Sequence, residues 1–424
     1  MRPQSEADIA EEQQHFAKVV ATFEQYASYS LAANNRRRKD LFSLSLEDQK
    51  LLDELGWKQR LVDVDNAILE NAKFVRAIIA EPEIFSDADL FQDGDEDDYG
   101  EQGATEGSNH IHSHLHSGGP HHGFSHLHPG SSVNNTAQDR PSSKKKRYRP
   151  TDFDMDKLRS TLKQFVRDWS DEGKSERDVC YEPMKDALLR HFANVPEAER
   201  SKLRVLVPGA GLGRLAYDIA RLGFSCQGNE FSHYMLLASF FILNRTEQVH
   251  QHTIYPHVHS FSNIPNREAL LRPVSIPDAF PSAIPRGVNF SLVAGDFEEV
   301  YGNDDHEEDE PQAGKWNAVM TCFFIDTAKN VINYLRIIHR ILAPGGVWIN
   351  LGPLLWHWEN NTTNDPSIEL DLEEVKALCR KLGFRLENER TLETTYTNNS
   401  QSMLGYVYKT AFWTATKVEE EARQ

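Results

Sequence analysis

Apolar and polar positions divide the chain into a helical stretch, a stretch with no periodicity, and a long alternation of strand and helix signals. In residues 8 to 83, Phe16, Val19, Val20, Phe23 and Tyr26 form one stripe at helical spacing. Ser45-Leu-Glu-Asp48 has the form of a cap opening a helix with Leu51, Leu52 and Leu55, and Phe74, Val75, Ile78 and Ile79 continue another. Such stripes face a core. Residues 1–90 are therefore expected to be an α-helical region packed on the rest of the chain.

The periodicity then stops. Asp93 to Asp98 is acidic, and residues 100 to 143 are Gly, Ser, Asn, Pro and His with almost no aliphatics. Such a segment buries too little apolar surface to offset its chain entropy, so residues 91–149 are expected to be a disordered linker. Its eight histidines between His110 and His128 lack interleaved cysteines or carboxylates at fixed spacing. A solvated tract is favoured over a metal-buffering one, and no metal site is assigned. Lys144-Lys-Lys-Arg-Tyr-Arg149 closes the linker as a basic cluster, either a nuclear-import signal or a surface patch.

Residues 150–418 are expected to form one α/β domain. Leu158, Leu162, Phe165 and Trp169 share a helical stripe, and Gln164 and Arg167 share another face of the same helix. From Lys202 the order alternates. Val205 to Val207 is a strand; Phe224 to Gln227 a second; Phe231 to Leu243 a long apolar helix with Ser232 placed to cap it. Residues 250 to 289 are too long for an ordinary connector and are expected to be an insertion near the site. Ser291 to Asp296 predicts a strand ending in an acid, Glu298 to Pro311 a solvated acidic loop, and Trp316 to Asp326 a buried strand with an aspartate past its end. Asn330 to Leu342 predicts a helix stopped by Ala343-Pro-Gly-Gly346, before a strand over Val347 to Leu351. A helix over Leu372 to Leu382 ended by Gly383, a strand opening at Phe384, and a last strand over Tyr406 to Thr416 complete the pattern.

The candidate chemistry lies in the first turn of this alternation. Val205-Leu-Val-Pro-Gly209-Ala-Gly211-Leu-Gly213 carries glycines at alternate positions between a strand and a helix. There the backbone must turn tightly and let a ligand approach main-chain atoms. Glu230 follows about 20 residues later, where an acidic side chain accepts from ribose hydroxyls. The spacing is G-x-G-x-G, not the dinucleotide G-x-G-x-x-G, and Arg214 stands where the third fingerprint glycine would be. That form is associated with S-adenosylmethionine (SAM) methyltransferases, although glycine turns also occur with no ligand.

Charge and cysteine content narrow the classes. A net charge of −18 argues against a nucleic-acid binder, and no apolar run reaches the length of a membrane span. The N-terminus lacks an apolar signal-peptide core, and the four cysteines form no C-x-x-C pair, so reduced thiols in a cytoplasmic protein are expected. A nuclear pool rests on the 144–149 cluster alone. Oligomeric state is left open, a homodimer among the candidates.

Helix, L-x-P-G-G, strand, then helix, L-G-F and two strands resembles the back half of a SAM-dependent methyltransferase. The resemblance implies a seven-stranded Rossmann-like class I sheet. A narrower resemblance rests on Val205-Leu-Val-Pro-Gly-Ala-Gly-Leu-Gly-Arg-Leu, Gly228-Asn-Glu-Phe-Ser232, Thr321-Cys-Phe-Phe-Ile-Asp-Thr327, Asn350-Leu-Gly-Pro-Leu-Leu-Trp-His357 and Lys163-Gln-Phe-Val-Arg-Asp-Trp-Ser170. These runs resemble the carnosine N-methyltransferase family over about residues 150 to 415. That family passes a methyl group from SAM to the π nitrogen of the imidazole in carnosine, β-alanyl-histidine, giving anserine.

The resemblance implies SAM held by Gln164, Arg167, Gly209, Gly211, Gly213, Glu230, Asp296, Phe297 and Cys322. It implies a histidine-containing dipeptide held by Asp326, His357, Tyr396, Tyr406 and Tyr408, with Asp326, His357 and Tyr408 nearest the chemistry. Asp326 would accept from the distal ring N–H, fixing the tautomer and balancing the charge that grows on the ring. His357 in its Trp356-His-Trp358 wall, and Tyr408 on its strand, also fit purely structural roles. Other readings are a protein histidine as acceptor, a non-catalytic interaction protein on the same fold, and a nicotinamide-dependent dehydrogenase, which the glycine spacing disfavours.

Overall fold

The structure, a computed structural model, describes residues 6–80, 148–302, 312–363 and 365–418. The expected His-rich linker and most of the basic cluster lie outside these residues.

Seven strands form one sheet: β1 (Arg204–Pro208), β2 (Ser225–Glu230), β5 (Phe290–Ala294), β6 (Trp316–Cys322), β7 (Leu342–Gly352), β8 (Phe384–Thr394) and β9 (Tyr408–Lys417). Their order is β5-β2-β1-β6-β7-β9-β8. All pairs from β5 to β7 are parallel, and β9 runs antiparallel between β7 and β8. This is the seven-stranded Rossmann-like α/β sheet expected from the sequence. Strand periodicity explains its two buried faces. Val205, Val207, Ala318, Met320, Val347 and Ile349 enter one core. Leu206, Val319 and Trp348, the alternate positions, enter the core on the other side.

Helices α5 (Lys174–His191) and α6 (Arg214–Arg221) cover the first face, and α9 (Phe297–Tyr301), α10 (Val331–Ile341) and α11 (Leu372–Leu382) the second. A third core joins α1 (Glu6–Ser43), α3 (Trp57–Ile78), α4 (Asp152–Trp169) and α7 (His233–Asn244). The expected stripes meet here: Val19, Phe23 and Tyr26 of α1, Phe74, Val75 and Ile78 of α3, and Leu158, Leu162, Phe165 and Trp169 of α4 are all buried. The N-terminal helices thus share a core with the sheet domain. The 250–289 segment is sewn to them. It contains the small antiparallel pair β3 (His252–Ile254) and β4 (Val274–Ile276) and a one-turn α8 (Arg267–Leu270). Buried Asn71 donates to the Tyr26 hydroxyl (3.0 Å) and the Tyr255 carbonyl (2.9 Å), and accepts from the Tyr255 N–H (2.7 Å).

Several local expectations are corrected. Ser45 does cap α2 (Leu46–Glu54), accepting from the Asp48 N–H, yet Leu51 and Leu55 of that stripe are 54% and 79% exposed. Ser232 occupies the N-cap of α7 without capping it; the Glu230 carboxylate accepts from its N–H instead. Residues 297–301 form α9 rather than loop, because Asp296 caps them; 303–311 lie outside the described residues. Ala343-Pro-Gly-Gly346 belongs to β7, which begins directly after α10, and a register shift between Trp316 and Ala318 accommodates it. Tyr406 precedes β9 rather than opening it.

Arg214, the departure from the dinucleotide fingerprint, has a structural partner. Its guanidinium donates to Asp278 Oδ1 (2.5 Å) and to the Asp168 carbonyl (2.7 Å). Arg177 donates to Asp278 Oδ2 (2.5 Å) and to the carbonyls of Arg167 and Ser170. One buried carboxylate from the insertion therefore holds two arginines against the end of α4. Asp278→Ala would leave Arg177 without its ion-pair partner, beside Arg214, which keeps Asp218 alone, and is expected to lower unfolding stability by about 3–5 kcal/mol in urea titration.

Candidate functional site

The strand order reverses at β1, between β2 and β6, and in open α/β sheets ligands bind beyond the carboxyl ends at such a point. The glycine turn sits there. Gly209, Gly211 and Gly213 have φ of 66°, 56° and 78°, all in the left-handed region that side chains with a Cβ disfavour. A Cβ on Gly211 would stand 3.6 Å from Gln164 Nε2 and 3.7 Å from Asp168 Oδ2, filling the gap between the turn and α4. Glu230 closes the turn from β2: one oxygen accepts from the Gly211 N–H (2.8 Å), the other from the Phe231 and Ser232 N–H groups (2.9 Å each). Burial raises its pKa, and these three bonds offset part of the rise.

Asn229 ties the next acid into place. Its side chain donates to the carbonyls of Val293 and Gly295, immediately before Asp296. Asp296 Oδ1 accepts from Glu298 N–H at 2.8 Å, fixing its carboxylate at the mouth of β5. The expected ring of Phe297 is turned inward. It is 2% exposed and packs against Tyr301, Phe324 and Tyr334, so it supports the wall more than it presents a face.

Across the turn, the last two turns of α4 supply Gln164, Arg167 and Asp168, all buried. Arg167 Nη1 donates to Asp168 Oδ1 (2.9 Å) and the Tyr181 hydroxyl (2.7 Å), and its guanidinium stacks on Tyr396 at 4.7 Å. Nε lies 2.8 Å from Glu176 Oε1, an ion pair off the line of a hydrogen bond. Burial alone would lower the Arg167 pKa; Tyr181, Asp168 and Tyr396 carry it well above the ordinary value, so the group is a fixed cation. Two polar atoms are left over. Arg167 Nη2 and Gln164 Oε1 are buried with no hydrogen-bond partner among the described residues. Beside a turn that a Cβ would fill, one cationic donor and one acceptor suit the carboxylate and ammonium of an amino-acid moiety. The Cys322 thiol, at the end of β6, lies close enough for the Arg167 charge to bear on it.

The second half of the site follows β6. Asp326 is 3% exposed, and burial pushes its pKa up to about 7. Its Oδ2 accepts from the Leu355 N–H (3.0 Å), and its carbonyl accepts from the His357 N–H (3.0 Å), so it shapes the loop after β7. His357 stands partly buried between buried Trp356 and Trp358. Tyr408 opens β9, and the Asp326 charge adds to burial in raising its pKa. Tyr396 reaches both halves, touching Arg167 on one side and Phe323 at 4.8 Å on the other. Tyr406 is 44% exposed, at the rim beside Tyr408. The structure thus brings Asp326, His357, Tyr396 and Tyr408 together and leaves Tyr406 outermost.

Sequence reasoning missed four participants. Asp168 receives Gln164, Arg167 and Tyr181; its only signal was its place beside Arg167. Tyr181 carried no signal. Glu176 joins Arg167 to the loop that carries Tyr396, accepting from Thr395 Oγ1 (2.6 Å) and the Thr397 N–H (3.0 Å). Phe323 sits at φ 54°, strained for an aromatic residue, with its ring between Tyr396 and Tyr408. Among the described residues no cluster of three or more potential ligands could hold a metal ion, and no helix is long and apolar enough to cross a membrane.

Comparison with known proteins agrees in the same region. The family model for carnosine N-methyltransferase matches residues 144–419. A carnosine N-methyltransferase from Mus musculus is 48% identical over 62% of this chain and 64% of its own length. One from Schizosaccharomyces pombe is 46% identical over 61% of this chain and 70% of its own. The match therefore spans slightly under two thirds of the mouse protein. Among solved structures, an arsenic(III) S-adenosylmethionine methyltransferase from Chlamydomonas reinhardtii is 18% identical, covering 53% of this chain and 67% of that one, with a TM-score of 0.31. With the family model covering well over half of its length, the chain belongs to the carnosine N-methyltransferase family.

Proposed function

We propose that this protein is a SAM-dependent N-methyltransferase whose acceptor is the imidazole of carnosine, methylated at the π nitrogen. The observation that carries the reading is the pairing of two half-sites across Tyr396. One is a glycine turn facing the unpartnered atoms of Gln164 and Arg167; the other is a buried carboxylate, Asp326, among His357, Tyr408 and Phe323. Family membership supports the same reading.

Bound SAM supplies an electrophilic methyl group, which leaves sulfur for a lone-pair nitrogen of the acceptor. The protein's residues supply position and charge. Arg167 Nη2 and Gln164 Oε1 would take the carboxylate and ammonium of the methionyl end, Glu230 the ribose hydroxyls, and Asp296 the adenine amino group. A neutral imidazole has one N–H and one nucleophilic nitrogen. An ionised Asp326 accepting that N–H selects the tautomer with the other nitrogen free, and holds negative charge where the ring becomes cationic. The N–H proton then has an acceptor of suitable affinity, since Asp326 titrates near 7. The half-buried rings of Phe323 and Tyr396 narrow access of water to the same space.

Labelled SAM and carnosine should give a π-methylated product, with Asp326→Ala lowering kcat/KM at least about a hundredfold. A SAM-retaining wild type that leaves carnosine unmodified overturns the proposed acceptor. In Gly211→Ala, the left-handed φ and the new Cβ should weaken SAM at least about tenfold by calorimetric titration, with a stability loss of only about 1–2 kcal/mol. Equal SAM affinity in wild type and variant would remove the turn from the site.

Asp326 also links function to stability. Its folded pKa is raised above the unfolded value of 3.8, so between about pH 4 and 7 the folded state keeps a proton that the unfolded state has lost. Stability therefore falls as pH rises through that window, and the full cost is present above it. Asp326→Asn lacks this slope. By urea unfolding, the variant should gain on wild type from pH 5 to pH 8 by on the order of 2 kcal/mol while losing activity.

A further inference from the structure

The Glu176 carboxylate stands where the two halves of the site meet, in the first turn of α5 with its side chain 9% exposed. Its oxygens serve two sets of neighbours. Oε1 forms the 2.8 Å ion pair with Arg167 Nε and accepts from the Thr397 N–H at 3.0 Å. Oε2 accepts from the Thr395 hydroxyl at 2.6 Å and from the Asn398 N–H at 3.3 Å. A carboxylate has about four lone-pair positions, and these contacts use them all.

The loop before β9 depends on this carboxylate. The N–H groups of Thr397 and Asn398 make no backbone–backbone hydrogen bond among the described residues; both turn to Glu176 instead. Thr397 has φ 50°, in the left-handed region where a β-branched residue is an outlier, so the loop holds a shape that its own sequence resists. Tyr396, between these anchors, lays its ring against the Arg167 guanidinium (4.7 Å) and the Phe323 ring (4.8 Å), and Phe323 in turn meets Tyr408 at 5.6 Å. The other partners of Arg167 are different. Asp168 and Tyr181 bond to Arg167, to each other and, for Asp168, to Gln164, and among the described residues neither bonds to the loop.

We infer that Glu176 is a positioning residue that makes SAM and the methyl acceptor bind cooperatively. The inference rests on the function proposed above and adds how the two half-sites are coupled. A methionyl carboxylate on Arg167 Nη2 fixes the guanidinium, the guanidinium fixes Glu176, and Glu176 keeps Thr397 in its strained shape with Tyr396 against Phe323. Released from Glu176, Thr397 relaxes to an ordinary φ and Tyr396 leaves the acceptor wall. Each ligand favours the pinned loop, so by linkage each tightens the other by the same factor.

The test uses S-adenosylhomocysteine, which has the methionyl end of SAM but no methyl group to transfer, so its complex with carnosine does not turn over. Calorimetric titration gives its Kd without and with saturating carnosine, and the ratio of the two is the coupling. In wild type the ratio should be at least about fivefold. Glu176→Gln has a single acceptor oxygen for two sets of neighbours; its ratio should fall towards one, while the Kd without carnosine stays within about threefold. Thr395→Val releases the loop side and leaves Arg167 untouched, and should lower the ratio in the same direction. Tyr181→Phe loosens Arg167 but not the loop, and should weaken S-adenosylhomocysteine with the ratio kept. A wild-type ratio near one overturns the coupling. So does a ratio that survives in Glu176→Gln, or in Thr395→Val should Glu176→Gln fail to bind S-adenosylhomocysteine, and so does an equal fall in Tyr181→Phe. In each of these cases methyl transfer from labelled SAM to carnosine leaves the proposed function standing. A wild type that neither methylates carnosine nor responds to it in the titration overturns that function, and the coupling with it.

Discussion

A guanidinium buried in protein must be surrounded by charge and acceptors or it will not stay buried, and Arg167 imposes that requirement on everything around it. Its ring of partners draws on separate parts of the chain: Asp168 beside it on α4, Tyr181 and Glu176 on α5, and Tyr396 on the loop before β9. Glu176 in turn fixes the backbone at Thr397 and Asn398. The cation that faces the glycine turn is thus also the pin that sets the loop next to Asp326. Cofactor side and acceptor side share one electrostatic joint.

That joint is itself held from behind. Arg177 and Arg214 grip the carbonyls at the end of α4, and Asp278 holds both arginines. Asp278 lies in the 250–289 insertion, which Asn71 and Tyr26 couple to the N-terminal helices. Segments outside the sheet are therefore mechanically continuous with the site. A perturbation in α1 or α3 has a short path, through packed and hydrogen-bonded groups, to the residues around Arg167.

Much of this was legible in the sequence because it is local. Alternation gave the strands, since odd and even positions of β1, β6 and β7 enter different cores. Glycine spacing marked the turn, where left-handed φ leaves few substitutes. Glu230, Asp296 and Asp326 could be placed because each lies at or just past a strand end. The missed features depend on distant partners. Nothing in the neighbourhood of Glu176 announces Arg167 or Thr395, and Asp278 looks like any loop aspartate until Arg177 and Arg214 arrive beside it. The Pro-Gly-Gly element misled for a related reason: it carries turn residues, but pairing with β6 recruits it into a strand.

Arg214 has a consequence for which ligands the turn can admit. In dinucleotide-binding sheets, the N–H groups at this corner remain available for a pyrophosphate. Here the Gly211, Phe231 and Ser232 N–H groups are already given to Glu230, and the Arg214 cation is committed to Asp278 and the Asp168 carbonyl. The protein has filled its own anion hole. What remains is an acidic rim formed by Glu230 and Asp296, with the Arg167 cation set deeper in the site, so negative and positive charge are offered to different parts of a ligand. The corner works as a charge filter, set by the protein's own groups before any ligand arrives.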